Sequence, residues 1–128
     1  MSKTALITGA TSGIGKATAQ ILAKNNYKII LCGRREDRLI ALAKELSAVT
    51  EVHTLCFDVR DKKAVFERIH AIPEAFAAID ILINNAGTIL RKPAAEHPDE
   101  MWDKVIATNE TAQFILTREI GKDMVARG

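Results

Sequence analysis

The stretch TGATSGIG, residues 8–15, follows the first apolar run of the chain and precedes a helical pattern. Its glycines, Gly9, Gly13 and Gly15, allow the backbone to turn sharply and to approach a ligand without an intervening Cβ. The free amides and dipole at the start of the next helix favour a phosphate. The stretch therefore predicts a phosphate-binding loop. The alternative is a tight structural turn, and the G-x-x-x-G-x-G spacing differs from the common G-x-G-x-x-G fingerprint.

Outward from this loop, short apolar runs alternate regularly with helical patterns. Strands are predicted at residues 4–8, 28–32, 52–57 and 80–84. Short connections between strands and helices imply parallel strands joined by right-handed crossovers. We therefore predict one α/β domain over residues 1–128, with a doubly wound parallel sheet in the order 3-2-1-4. A ligand would bind beyond the carboxyl ends of the strands, where the order reverses between strands 1 and 4.

The helical segments carry apolar residues at helical spacing. The first helix is expected to bury Ile14, Thr18, Ile21 and Leu22 and to end at a left-handed Asn25 or Asn26. The second helix would bury Leu39, Leu42, Ala43 and Leu46. Asp61 is expected to cap a third helix, which Pro73 would kink or stop. Residues 101–106 suggest a short helix, and a last helix follows with Ala112, Ile115, Leu116, Ile120 and Met124 on one face.

Composition excludes several classes of protein. The formal charge is only +2 and no basic block stands out, which argues against a nucleic-acid binder or an anionic-membrane binder. The chain shows neither a signal-peptide pattern nor an apolar run of membrane-spanning length, so a cytoplasmic protein is expected. Cys32 and Cys56 lie in apolar runs and are expected to be buried free thiols. The histidines are too scattered for a metal site.

The second predicted strand ends in CGRRED, with Gly33 where dinucleotide-binding folds usually place an acidic residue that binds the ribose. Arg34 and Arg35 follow, and a guanidinium offers a planar fork that suits phosphate oxygens. This favours NADP(H) over NAD(H). The alternative is a solvated helix start in which Glu36 and Asp37 pair with the arginines.

Two further motifs follow later strands. In FDVRD, Asp58 comes just after the third strand, where a carboxylate can accept from the adenine amine while Val59 packs beside the ring. The alternative is that Asp58 only caps a turn. In ILINNAG, Asn84 and Asn85 end a buried strand and need hydrogen-bond partners, either a neighbouring strand or a cofactor. Gly87 would let the chain pass close to a ribose or nicotinamide.

The motifs TGATSGIG, FDV and NNAG, in this order, resemble those of the short-chain dehydrogenase/reductase family. The resemblance implies a Rossmann fold, a nicotinamide cofactor in the cleft, and hydride transfer to a carbonyl or from an alcohol. The candidate cofactor-binding residues are Gly9, Thr11, Ser12, Gly13, Ile14, Gly15, Arg34, Arg35, Asp58, Val59, Asn85, Ala86 and Gly87.

Two parts of the chain resemble different branches of that family. The segment from Asn84 onward is similar to gluconate and deoxygluconate dehydrogenases, whereas CGRREDRL is similar to NADP-dependent hydroxy-acid dehydrogenases. A chimera of two relatives is therefore one hypothesis.

The family's catalytic residues are a serine, a tyrosine, a lysine four residues after the tyrosine, and an asparagine. In this chain only Asn109 matches, because the sole tyrosine, Tyr27, is followed four residues later by Leu31. The resemblance thus implies a nucleotide-binding half-Rossmann domain that ends before the fifth strand and is not catalytic alone. The alternatives are an enzyme completed by a C-terminal fragment, and a truncated or engineered structural module without cofactor function.

Self-association is also expected. Ile81, Leu82 and Ile83 would leave an apolar strand edge without charge or proline, and such an edge can pair with another strand. The last helix would expose part of its apolar face, so the C-terminal helices are the second candidate surface. Glu110 makes that second surface less favourable.

Overall fold

The computed structural model describes residues 3–11, 13–85 and 112–128. The strands are β1 (Thr4–Ile7), β2 (Lys28–Gly33), β3 (Val52–Cys56) and β4 (Ile81–Ile83). All of the pairings are parallel, and the sheet order is β3-β2-β1-β4. The predicted α/β class and strand order are therefore confirmed, with strand ends that shift by one residue.

The described helices are α1 (Gly13–Lys24), α2 (Glu36–Leu46), α3 (Lys62–His70), α4 (Glu74–Ala77) and α5 (Ala112–Arg127). The short helix predicted at residues 101–106 lies outside the described residues. Among the helices that the structure describes, none is both long and apolar enough to cross a membrane.

Helices cover both faces of the sheet, as a doubly wound fold requires. Ala5 and Ile7 of β1 pack in one core with α1 and α2, whereas Leu6 packs in a second core with α3 and α5. This follows from the alternation of side chains along a strand. Because both faces are covered, β1 and the interior of β2 are buried throughout and contain mostly aliphatic residues.

The apolar face predicted for α1 is wrong. Ile14 and Ile21 are 77% and 60% exposed, and the buried residues of α1 are Gly15, Ala19 and Ala23. These small residues allow α1 to lie close to the sheet, where larger side chains would not fit. The prediction from helical spacing followed the large apolar residues and therefore placed the wrong face of α1 against the sheet.

Three predicted chain signals are confirmed. Asn26 adopts a left-handed conformation, with φ of 66°, two residues after the end of α1. Asp61 caps α3, because its carboxylate accepts a hydrogen bond from the amide of Ala64. α3 ends at His70 and Pro73 precedes α4, so the proline coincides with a stop and a new short helix.

Two expectations about burial are corrected. Cys32 is a buried free thiol whose pKa is raised by that burial, but the free thiol of Cys56 is only half-buried because β3 lies at the edge of the described sheet. On α5, Ile115, Leu116 and Ile120 are buried against the α3 side of the core, so they form no exposed patch.

Candidate functional site

The loop after β1 has the geometry of a backbone cradle. Gly9 and Gly13 adopt positive φ values of 62° and 58°, a region that favours glycine. A Cβ at Gly15 would collide with the backbone of Gly9 and lie 2.5 Å from Nδ2 of Asn85. A Cβ at Gly13 would meet no atom within 4 Å. The loop is therefore close-packed behind Gly15 and open at Gly13, where α1 begins.

Hydrogen bonds attach this loop to the strands on both sides of β1. The amide of Ala10 donates to the carbonyl oxygen of Cys32 at 3.2 Å, which ties the loop to β2. On the other side, Asn85 Nδ2 donates to the carbonyl oxygen of Gly9 at 3.2 Å, and the Asn85 amide donates to Thr8 Oγ1 at 2.9 Å. The predicted role of Asn85 in joining β4 to its neighbour is thus present in the geometry.

The end of β2 is adjacent to the loop and is rich in cations. A Cβ at Gly33 would lie 3.2 Å from Cγ2 of Thr11, so these two residues are close neighbours. Arg34 and Arg35 follow and are both exposed. Within the described part of the chain, neither arginine forms an ion pair with Glu36 or Asp37. The guanidinium groups are therefore available to an anionic ligand.

Asp58, after β3, is held by a residue that the sequence interpretation did not select. Its two carboxylate oxygens accept hydrogen bonds from the Arg60 amide and from Nε and Nη2 of Arg60, at distances between 2.6 and 3.0 Å. These bonds, with a smaller effect of the Arg34 charge, lower the pKa of Asp58. Asp58 therefore stays ionised, but Arg60 already occupies the oxygens that were expected to meet an adenine amine. Arg60 follows Asp58 by two residues in the sequence, and this spacing could have predicted their pairing.

Val59 and Ile14 lie in contrasting surroundings. Val59 is 9% exposed and belongs to the core with Phe57 and Val65, so its side chain packs inside the protein. Ile14 is in the first turn of α1 and is mostly exposed. Of these two predicted contacts, only the Ile14 side chain is open to a ligand.

Asn84 connects β4 to α5. Its Nδ2 donates to Thr117 Oγ1 at 3.2 Å, and its buried Oδ1 accepts no hydrogen bond from the residues that the structure describes. The two adjacent asparagines therefore have different partners, since Asn85 binds the loop and Asn84 binds α5.

The parallel strands bring most of the predicted site residues to one end of the sheet, where the carboxyl ends of the strands lie. The loop, the two arginines, Asp58 and Asn85 all follow the carboxyl ends of strands. Four predicted site residues, Ser12, Ala86, Gly87 and Asn109, lie outside the described residues. Within the described ranges, no group of three or more metal-binding side chains occurs.

Tyr27 lies at the opposite end of the sheet, where the amino ends of the strands lie. It precedes Lys28, the first residue of β2, and its amide bonds to the carbonyl oxygen of Leu22 at the end of α1. The amino ends of parallel strands are remote from the carboxyl ends, so this tyrosine is distant from the glycine loop. The sole tyrosine of the chain therefore cannot reach a ligand bound there.

Comparison with known proteins agrees with this geometry. A family model described as short chain dehydrogenase matches residues 3–128. The chain belongs to the short-chain dehydrogenase family. The predicted family resemblance is therefore confirmed, whereas a chimera of two relatives is not shown.

Individual members of the short-chain dehydrogenase family match nearly the whole chain. It is 48% identical, over 98% of its length, to 2-dehydro-3-deoxy-D-gluconate 5-dehydrogenase of Pseudoalteromonas atlantica, and covers 50% of that protein. It is 43% identical to sulfoacetaldehyde reductase 2 of Chromohalobacter salexigens, covering 100% of this chain and 51% of the relative.

A solved structure is also similar. L-sorbose reductase from Gluconobacter frateurii, complexed with NADPH and L-sorbose, superposes with a TM-score of 0.93 at 35% identity, covering 99% of this chain and 49% of that one. The chain thus spans about half the length of the relatives it matches.

Proposed function

We propose that this chain binds a nicotinamide dinucleotide, with NADP(H) preferred over NAD(H), as the nucleotide-binding part of an oxidoreductase. The observation that carries this proposal is the cradle: Gly15 packed against Gly9, two glycines at positive φ, and an open approach to the start of α1. A pyrophosphate fits such a backbone because amides and the helix dipole face it without an intervening Cβ.

The residues that would hold the cofactor divide by position. Gly9, Gly13 and Gly15 would hold the pyrophosphate, and Arg34 would meet a 2′-phosphate. Asp58 would lie beside the adenosine, held in place by Arg60. When bound, the nicotinamide supplies or accepts a hydride. The NADPH complex of the similar L-sorbose reductase supports this class of cofactor.

We propose that these 128 residues by themselves bind the cofactor without turnover. The family's acid–base chemistry requires a tyrosine with a lysine four residues later. The only tyrosine here, Tyr27, is followed four residues later by Leu31 instead of a lysine. It also lies at the amino end of β2, the end of the sheet opposite the glycine loop. General acid–base catalysis typically contributes about 10²- to 10⁴-fold, so its loss leaves little activity. An enzyme completed by a further fragment is the alternative, and adding such a fragment should then restore carbonyl reduction.

Titration of the purified chain with NADP⁺ and NAD⁺ tests the proposed function. Arg34→Asp should reverse the preference, because a charge-assisted contact of about 1.5–3 kcal/mol becomes a repulsion. Lys62→Asp, at an exposed position on α3, is the charge-matched control and should leave the preference unchanged. Equal affinity for the two cofactors in the parent chain would refute the assignment of Arg34.

Self-association through β4 is a further part of the proposal. Within the described residues β4 pairs with β1 alone, and its three residues are all half-buried. An antiparallel two-fold pairing of two β4 strands would satisfy that edge. On the alternative surface, the exposed large apolar residues among the described side chains of α5 are Phe114 and Val125, which are 62% and 83% exposed.

Sedimentation at micromolar concentration distinguishes the two surfaces. Leu82→Pro should dissociate a dimer formed through β4, whereas Phe114→Ser should weaken only a dimer formed through α5. A monomer in the parent chain would refute self-association. A far-ultraviolet circular dichroism spectrum of each variant confirms that the sheet is retained.

A further inference from the structure

An ion pair lies at the carboxyl end of β3, where Asp58 and Arg60 follow the strand. Arg60 donates to the Asp58 carboxylate from its backbone amide, from Nη2, and from Nε, which is shared between the two oxygens. A carboxylate has about four lone-pair directions, so these bonds use its acceptor capacity. Asp58 is thus held as an anion with no free position for a further donor.

The guanidinium of Arg60 is only partly used by this pair. Nε and Nη2 bind Asp58, whereas Nη1 donates no hydrogen bond to any residue that the structure describes. The side chains of Arg60 and Asp58 are 30% and 33% exposed, so solvent reaches the pair. A ligand at this position would therefore meet an unused donor and an occupied acceptor.

The ion pair lies beside the end of β2, where the adenosine would bind. The amide of Phe57 donates to the carbonyl oxygen of Gly33 at 3.0 Å, so the segment that leads to Asp58 runs alongside the end of β2. The charge of Arg34 helps to lower the pKa of Asp58, which agrees with this proximity. A purine next to the ribose would consequently meet the Asp58–Arg60 pair and not a free carboxylate.

Purine bases differ in the hydrogen bonds that they offer at the 6-position. Adenine carries an amine that donates, whereas hypoxanthine and guanine carry an oxo group that accepts, beside the acceptor N7. A free carboxylate would select adenine, because it accepts from the amine and repels the oxo group. A guanidinium instead suits the two acceptors of a 6-oxopurine.

We propose that Arg60 sets the base specificity of the dinucleotide site, so that the chain accepts a 6-oxopurine dinucleotide as well as the adenine dinucleotide. The inference rests on the proposed function. Arg60 is a positioning residue, because it withholds the Asp58 carboxylate from the adenine amine and leaves its own Nη1 to face the base. Recognition of the dinucleotide then depends mainly on its phosphates, and the base adds little selectivity.

Two dinucleotides that differ in the 6-substituent of the purine test this inference, namely NADP⁺ and nicotinamide hypoxanthine dinucleotide phosphate. The parent chain should bind them with dissociation constants within about threefold of each other, since no free carboxylate selects the amine. Arg60→Met frees the carboxylate, so NADP⁺ should then bind about tenfold more tightly than the hypoxanthine analogue, as expected for one charge-assisted hydrogen bond. The double variant Asp58→Ala with Arg60→Met also lacks the carboxylate and should lose this preference.

Two further variants control the measurement. Arg68→Met, at an exposed position on α3, removes a guanidinium outside the ion pair and should retain the affinity ratio of the parent chain. Arg60→Lys keeps the charge but not the planar fork, so it should shift the ratio toward adenine by a smaller factor than Arg60→Met. Far-ultraviolet circular dichroism checks the fold of each variant, and Arg60→Lys carries the test if Arg60→Met does not fold.

The possible results separate the inference from the function on which it rests. If the parent chain binds neither dinucleotide, the proposed function fails and the inference fails with it. If both bind but the parent chain prefers NADP⁺ by about tenfold or more, the carboxylate is accessible to the amine and the inference alone is overturned. An affinity ratio that is the same in the parent chain and in the folded Arg60 variants would also overturn it.

Discussion

β1 has two neighbours in the sheet, and they differ in how completely they are built into the fold. β2 has six residues, is paired on both sides, and has four buried interior residues. β4 has three residues, all half-buried, and within the described residues it pairs with β1 alone. The difference indicates that the part of the proposed site beside β2, where the adenosine would bind, is supported by a fully buried core. The part beside β4 is held by fewer contacts.

The largest expected effect comes from equivalent positions on the two strands. Ile29 on β2 and Ile81 on β4 both lie opposite Ala5, but Ile29 is fully buried and Ile81 is half-buried. Replacement by alanine should lower the free energy of unfolding by about 3–4 kcal/mol at Ile29 and by about 1–2 kcal/mol at Ile81. Urea unfolding measures both values. Equal losses would contradict the contrast between the strands.

A smaller effect is expected within the loop that joins both sides. Gly15→Ala should lower the free energy of unfolding by about 2–3 kcal/mol, because the new Cβ overlaps the backbone of Gly9 and the side-chain amide of Asn85. Gly13→Ala should cost only about 1–2 kcal/mol, since it requires a left-handed alanine but meets open space. Thermal unfolding compares the two variants. A greater loss in Gly13→Ala would refute the close packing at Gly15.

The smallest expected effect concerns pH at the end of β3. Because Arg60 lowers the pKa of Asp58 in the folded state, the pair stabilises the fold above the ordinary carboxyl pKa. This stabilisation is lost as pH falls through the lowered value. With side chains about one third exposed, we expect Asp58→Asn to cost under about 1 kcal/mol at pH 7 and progressively less as the pH falls into the acid range. Urea midpoints across this pH range give the comparison, and a loss that persists in acid would exclude the ion pair as its cause.

Patterns that act locally could be predicted from the sequence. The strand order followed from strand–helix alternation, and the Asp61 cap and the break at Pro73 followed from single residues. The buried face of α1 could not be predicted in the same way, because it depends on how closely α1 approaches the sheet. The small residues Gly15, Ala19 and Ala23 form that face.

The candidate site was predicted as a set of residues but not as a network. The glycine loop and the residues that follow the strands were correctly placed at the carboxyl ends of the strands. The pairing of Asp58 with Arg60 and the attachment of Asn84 to Thr117 were not foreseen. Both contacts depend on side-chain directions in three dimensions, and only the first had a local signal in the sequence.

The central claim is that a nicotinamide dinucleotide binds at the carboxyl edge of the sheet, and amide chemical-shift mapping by NMR tests it most directly. On addition of NADP⁺, the largest shifts should occur at Gly9, Gly13 and Gly15, then at Arg34 and Asp58. The amide of Tyr27, at the opposite edge, should not move. Shifts that cluster around Tyr27, or no shifts at millimolar NADP⁺, would contradict the account.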